Sequence, residues 1–359
     1  MSGLPTKNVL LVGYGAVGAI YSLILTRSGC ARVTAVARGN FDAVQRSGMH
    51  IKSRKYGDIH AWRPTRLCRS VADAIDEQYD YVVVCTKALP EVLPTSKLLA
   101  PLLSKVSYEH PQPAYVLLQN GLGVERDLYE AAKDASNSEG AKPRIISTAV
   151  WIGTNLISEN EVEHNDFDRV TIGVYKPSDD LSDTSMPPED ARLLEDFGGM
   201  LRAGGTEVTI VPEIQSIKFR KNFWNLAFSS IATLTRHPLP AVFRDRSIDE
   251  RVTPAIRGIL LETLAVGRAL GFSPSALPDS IVEDTIEPTR RIHARADSTH
   301  KASMLLDLEN GRPLEVEVIV GEVVRNARRL GVDIPRIETL YALLTILQGQ
   351  LLANVNDRR

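Results

Sequence analysis

Lys221 and Asn225 stand four residues apart in Phe219-Arg220-Lys221-Asn222-Phe223-Trp224-Asn225-Leu226-Ala227-Phe228, a spacing that projects both from one helix face. Ser229 continues the stripe one turn further. An amine, an amide and a hydroxyl on a helix otherwise rich in Phe, Trp and Leu must face either water or a cleft, and periodicity alone does not choose. Further on, Ser303-Met304-Leu305-Leu306-Asp307 precedes Leu314-Glu315-Val316-Glu317, which opens another helical pattern. Ser303, Asp307 and Glu315 read either as caps and first-turn acids or as site residues. His293 and His300 lie in no recognisable site pattern and read as surface or structural histidines.

A second set of chemistry-bearing residues lies near the start of the chain. Gly13-Tyr14-Gly15-Ala16-Val17-Gly18 follows the apolar run Val9–Val12 and opens a helical run, Ala16–Thr26. In a dinucleotide-binding turn the first glycine permits the bend, the second lets pyrophosphate approach the backbone, and the third lets helix and strand pack closely. The helix N-terminus then offers N–H donors to the phosphates. About twenty residues on, where an acidic side chain would read an NAD ribose, the chain carries Arg38 within Ala35-Val36-Ala37-Arg38-Gly39-Asn40. An arginine pairs with a 2′-phosphate that a carboxylate would repel, so the expected cofactor is NADP(H). Lys87, in Cys85-Thr86-Lys87-Ala88, and Asn120, in Asn120-Gly121-Leu122-Gly123, each follow a strand at the end where open α/β sheets bind ligands.

The elements that must hold these residues follow from the apolar pattern. Short β-branched runs alternate with helical patterns over the first 120 residues, the mark of βαβ units and a parallel sheet. Expected strands are Asn8–Val12, Val33–Ala37, Tyr81–Cys85 and Tyr115–Gln119, with others near Ile145–Val150, Val170–Val174 and Glu207–Val211. Ala135–Pro143 and Lys176–Asp190 are polar and read as surface insertions. Beyond Pro212 the helical patterns are Ile217–Thr235, Asp249–Leu270, Pro278–His293, Leu314–Leu330 and Arg336–Ala353, with Gly271 and Gly331 as stop signals. The expected architecture is α/β: a Rossmann-type dinucleotide-binding domain over residues 1–211, then an all-helical substrate domain over residues 212–359.

Composition narrows the function classes. A chain of 359 residues with 43% apolar and 24% charged residues can bury a large core and is not a disordered or collagen-like sequence. Its 42 basic and 44 acidic residues nearly cancel, so no overall field favours nucleic acid or an anionic membrane. Cys30, Cys68 and Cys85 share no metal-ligand spacing, which together with their odd number fits a reducing compartment. Met1 to Asn8 carries neither a signal-peptide core nor an Arg-rich amphipathic stretch, and no long apolar span occurs. The expectation is a soluble cytoplasmic protein with no metal.

The motifs together resemble the ketopantoate reductase (2-dehydropantoate 2-reductase) family, in family order from about Val9 to about Arg336: the Gly13–Gly18 turn, Arg38, Lys87, Asn120, Lys221 with Asn225, then Ser303, Asp307 and Glu315. The resemblance implies NADPH-dependent reduction of ketopantoate to pantoate in a cleft between the two domains. It makes Lys221 the general acid, Glu315 a supporting carboxylate that also borders the cofactor, and Asn225, Ser229 and Ser303 substrate contacts. Asn120 would touch cofactor or substrate, and Arg38 and Lys87 the adenosine 2′-phosphate end. Ser229 stands where the family often has a second asparagine, and no further asparagine is evident around His237–Val242. Those departures leave open a different 2-oxo acid or related carbonyl as substrate. A non-catalytic NADP(H)-binding regulator is the alternative from another class, and the helical half can supply a homodimer surface.

Overall fold

Val9–Val12 and Tyr81–Val84 are unbroken apolar runs, as strands covered on both faces require. The computed structural model describes residues 6–135, 142–177 and 184–357. Among these, β1 (Lys7–Val12), β2 (Ala31–Val36), β3 (Met49–Ser53), β4 (Gly57–Trp62), β5 (Arg66–Cys68), β6 (Tyr81–Val84), β7 (Ala114–Leu117), β8 (Ile145–Ser158), β9 (Glu161–Val174) and β10 (Glu207–Ile210) form one sheet. Its order is β4-β3-β9-β8-β7-β6-β1-β2-β5, with β10 paired to β9. The strands from β8 through β7, β6, β1 and β2 to β5 run parallel, whereas β8–β9 and β3–β4 are antiparallel hairpins. The chain leaves β1 toward β2 on one side and returns to β6 on the other, which puts a topological switch point at the C-terminal end of β1.

The period of two along β1 divides the core. Val9 and Leu11 pack with the helix Ala16–Arg27 and the helix Pro188–Ala203, whereas Leu10 and Val12 belong to the cluster that continues into Phe223, Phe228, Leu260 and Leu305 of the helical half. One sheet face is therefore continuous with the helical core. Ala16–Arg27 is buried from Gly18 through Leu25, because it lies between the sheet and Pro188–Ala203; a Cβ on Gly204 would come within 2.1 Å of the Ile24 carbonyl oxygen.

All seven expected strands are present. Those near Ile145 and Val170 are parts of a hairpin of two 14-residue strands. The sequence reading missed β3, β4 and β5: they are short, and β4 is largely exposed, so little apolar alternation marks it. Every described element from Gln215 to Asp357 is helical. Gly331 ends the helix Glu322–Leu330 in the left-handed region and Gly271 follows Arg246–Ala269 with φ +96°. Of the two polar stretches, residues 136–141 and 178–183 lie outside the described residues, and the second ends inside the helix Pro188–Ala203.

Two expected helices are not regular. Ile217–Thr235 is a helix Gln215–Trp224, a π-helical turn Asn225–Ser229 and a helix Ser230–Thr235. Leu314–Leu330 begins only after Glu315, passes through a π-helical turn Glu317–Gly321 and continues as Glu322–Leu330. Such turns insert a residue and re-aim what precedes them. They flank Lys221 and Glu315.

The loop after β7 docks on the second π turn: Leu122 N–H donates to the Val318 carbonyl at 2.8 Å, and a Cβ on Gly121, at φ +88°, would lie 2.5 Å from the Val318 Cβ. Gly121→Ala combines backbone strain with overlap and is expected to lose about 2–4 kcal/mol of stability. Urea denaturation measures this, and a change within 0.5 kcal/mol, roughly the range of neutral surface substitutions, would contradict the packing described.

Candidate active site

The glycine turn is shaped by its neighbours. Gly13 adopts φ +101°, and a Cβ there would come 2.8 Å from the Thr86 backbone nitrogen. A Cβ on Gly18 would lie 1.9 Å from the Gly13 carbonyl oxygen, so the helix can approach the strand only with glycine. At Gly15 a Cβ would meet nothing within 4 Å: that side is open. The helix Ala16–Arg27 has no side-chain cap and no acidic residue in its first turn, leaving the N–H groups of Ala16 and Val17 without an intrahelical acceptor. Tyr14 buries its ring and offers only backbone to the turn, where Asn40 Nδ2 donates to its carbonyl at 2.8 Å. Open backbone donors at a helix start fit a pyrophosphate. Arg38, just past β2, is exposed and makes no hydrogen bond or ion pair among the described residues.

Across the sheet's C-terminal edge lies a continuous polar chain. Lys221 Nζ donates to Asn120 Oδ1 at 2.6 Å, and Asn120 Nδ2 lies 3.4 Å from Glu315 Oε2. The Ala88 N–H donates to Glu315 Oε1 at 3.0 Å. Lys87 Nζ pairs with Asp307 Oδ2 and lies 3.9 Å from Glu315 Oε2. Glu315 and Asp307 are buried, whereas Lys87 is partly exposed. Burial depresses the Lys221 ammonium, Glu315 opposes this and Lys218 adds to it, leaving a pKa of about 8. At Lys87 burial works the other way from its partners, and the Glu315 and Asp307 carboxylates prevail, holding it above the ordinary lysine value. Burial raises the Asp307 carboxyl in spite of Lys87.

Lys87 follows β6 and Arg38 follows β2, with β1 between them. Two strand spacings of about 4.8 Å separate those positions, and Lys87 already faces Asp307 and Glu315. The capping alternative for the three C-terminal residues falls away. Ser303 is the first residue of the helix Ser303–Glu309 without a side-chain cap bond, Asp307 is in its interior, and Glu315 precedes its helix and binds Ala88 and Asn120 instead. Ser303 is exposed, one turn from Asp307 on the same helix face. Asn225 is half-buried one turn beyond Lys221, and Ser229 is 1% exposed with its hydroxyl unpartnered.

Several residues escaped the sequence reading. Asn40 braces the glycine turn. Lys218 and Glu125 form a buried ion pair beneath the site. The polar set Gln215, Lys218 and Asn222 on a Phe-rich helix, at spacings of three and four, was the available signal for the last. His293 is buried against Ser298, and burial with the neighbouring His300 lowers its pKa to about 4, which suits a structural residue. Cys30, Cys68 and Cys85 are free thiols. His50, Asp58 and His60 bring possible metal donors together on the exposed β3–β4 hairpin, outside this cleft. No described helix is long and apolar enough to cross a membrane.

A Rossmann-like sheet with an open glycine turn, facing a helical half that delivers a lysine, has direct counterparts. The family model for ketopantoate reductase PanE/ApbA matches residues 9–177, and the model for its C-terminal part matches residues 213–348. A 2-dehydropantoate 2-reductase of Mesorhizobium japonicum is 29% identical over 351 residues, covering 94% of this chain and 96% of that protein. An uncharacterised protein of Saccharomyces cerevisiae is 27% identical over 361 residues, covering 96% and 94%. The crystal structure of 2-dehydropantoate 2-reductase from Methylococcus capsulatus superposes with a TM-score of 0.75 at 26% identity, covering 96% of this chain and 97% of that one. Fold and relatives define an oxidoreductase acting on CH–OH groups. The chain belongs to the ketopantoate reductase family.

Removing the Lys87 charge would leave Asp307 buried without its cation. Lys87→Met is expected to lose about 1–2 kcal/mol at pH 7, less than a fully buried pair because Lys87 is partly exposed. A carboxyl raised in the folded state binds its proton more tightly there, so the loss should shrink at pH 5. Denaturation at both pH values checks this; an equal loss at both would argue against the pairing.

Proposed function

We propose that the protein reduces the C2 carbonyl of a 2-oxo acid to the 2-hydroxy acid with NADPH, 2-dehydropantoate being the substrate and pantoate, a precursor of pantothenate and coenzyme A, the product. The observation that carries this reading is the half-buried Lys221 ammonium, held by Asn120 just past β7 with a pKa of about 8. Bound NADPH supplies the hydride. The Gly13–Gly18 backbone takes the pyrophosphate, and Arg38 pairs with the 2′-phosphate. Lys221 Nζ stabilises negative charge growing on the carbonyl oxygen and donates its proton there. Glu315, fixed by Ala88 and Asn120, keeps that ammonium charged in a partly closed site. Asn225, Ser229 and Ser303 orient the substrate, and Asn120 also borders the nicotinamide end. The division into a cofactor domain and a substrate domain near residue 211, a cytoplasmic location and a homodimer belong to the same reading.

A second reading, a reductase of a different 2-oxo acid, is favoured by Ser229. Its buried, unpartnered hydroxyl is shorter than the amide the family often has there, and an unmatched polar group discriminates strongly between substrates. Initial rates with NADPH on ketopantoate and a panel of branched and aromatic 2-oxo acids decide between them. Highest kcat/KM on ketopantoate supports the first reading, and a hundredfold preference for another acid replaces it with the second. NADPH bound but never oxidised would mean a regulator.

Lys221→Ala should retain NADPH binding and lose about 10²–10⁴ in turnover. For the intact enzyme kcat/KM of reduction should fall as pH rises through about 8, because the donor form of Lys221 is lost there. Near-normal turnover in the variant would refute the assignment. Arg38→Ala should weaken NADPH by roughly tenfold or more while leaving NADH nearly unchanged, since only the former offers a phosphate to a charge-assisted pair. Equal losses in titrations with both cofactors would remove Arg38 from that role.

A further inference from the structure

Lys218 and Glu125 form an ion pair whose side chains are 3% and 0% exposed. Ser147 Oγ also donates to Glu125 Oε1 and lies 3.2 Å from Lys218 Nζ, with Gln215 Nε2 3.4 Å from the same carboxylate oxygen. A pair so enclosed is a weak source of stability, because desolvation offsets most of the attraction. Its position suggests another use. Glu125 follows Asn120 by five residues on the loop leaving β7, Ser147 lies on β8, and Lys218 precedes Lys221 by one turn of the same helix. The pair ties the loop that presents Asn120 to the helix that presents Lys221.

We propose that the Lys218–Glu125 pair is a positioning device for Lys221, holding it in register with Asn120 and using the Lys218 charge to set how readily Lys221 releases its proton. The inference rests on Lys221 being the proton donor. The groups acting on Lys221 are Glu315, which favours its ammonium, and Lys218, which disfavours it in addition to burial. Beyond Glu315, Lys87 and Asp307 neutralise one another. Around Glu125 stand Lys218, Ser147, Tyr175 and Arg126, the last engaged with Glu322 at 2.6 Å. Burial disfavours the Glu125 carboxylate, yet Lys218 and Ser147 hold its pKa below the usual value.

Lys218→Met with Glu125→Gln removes both charges while nearly keeping the side-chain shapes, whereas Lys218→Met alone would strand a buried carboxylate. Lysine side-chain NMR of isotopically labelled protein, with the Lys221 signal assigned by its loss in Lys221→Ala, reads the titration without any substrate. In the double variant its midpoint should rise by on the order of one pH unit. The alkaline limb of kcat/KM should move with it, and kcat at pH 7 should drop about tenfold with KM for NADPH unchanged. The charge-swapped Lys218→Glu with Glu125→Lys should raise the midpoint further. A folded double variant with unchanged titration and kcat would overturn the proposal, as would failure of both double variants to fold, which would make the pair purely structural. If the NMR midpoint moves while the kcat/KM limb stays, the tuning stands and the proton-donor reading of Lys221 fails.

Discussion

The hydrogen bond from Lys221 Nζ to Asn120 Oδ1 joins the sheet to the helical half, and the surrounding architecture serves to make it. Asn120 stands at the end of β7 on a loop whose next residue, Gly121, must adopt positive φ and lie flat against Val318. Lys221 comes from a helix fastened to the same region by Asn222, whose amide donates to the Ile319 carbonyl at 2.8 Å. Glu315 completes the arrangement by binding the backbone after β6 and the Asn120 amide together. Any displacement of helix against sheet would separate all three.

Regular secondary structure gives way near this contact. π-helical turns begin one helical turn after Lys221, at Asn225, and two residues after Glu315, at Glu317. The same trade is visible at the glycine turn, where Gly13 and Gly18 are forced by backbone contacts while Gly15 leaves open space. Local conformations that are unfavourable in isolation persist because the sheet and the packed helices over-determine them.

Electrostatics at the site depends on pairing as much as on burial. A chain of net charge -2 brings Lys87, Lys218 and Lys221 to the region where sheet and helical half meet, yet Lys87 and Lys218 each have a carboxylate of their own. Lys221 alone of the three is held by a neutral amide. Burial therefore acts on it with less compensation, which is why its pKa falls toward neutrality while that of Lys87 rises.

Much of the fold was legible in the residues. Apolar runs such as Val9–Val12 mark strands buried on both faces, glycines at 13 and 18 mark a turn whose close backbone contacts admit only glycine, and Gly331 marks a helix end. These signals are local, so they survive in one dimension. The Lys221–Asn225 stripe was equally visible, but whether it met water or a cleft was not, because that depends on a partner 101 residues away. Lys87 could be placed at a strand end, though not on the side of Glu315 and Asp307, since strand order is a property of the assembled sheet. The pairing of Lys218 with Glu125 was likewise decided by tertiary structure alone: only the closure of helix on sheet removes water from both charges and makes each the other's necessary partner.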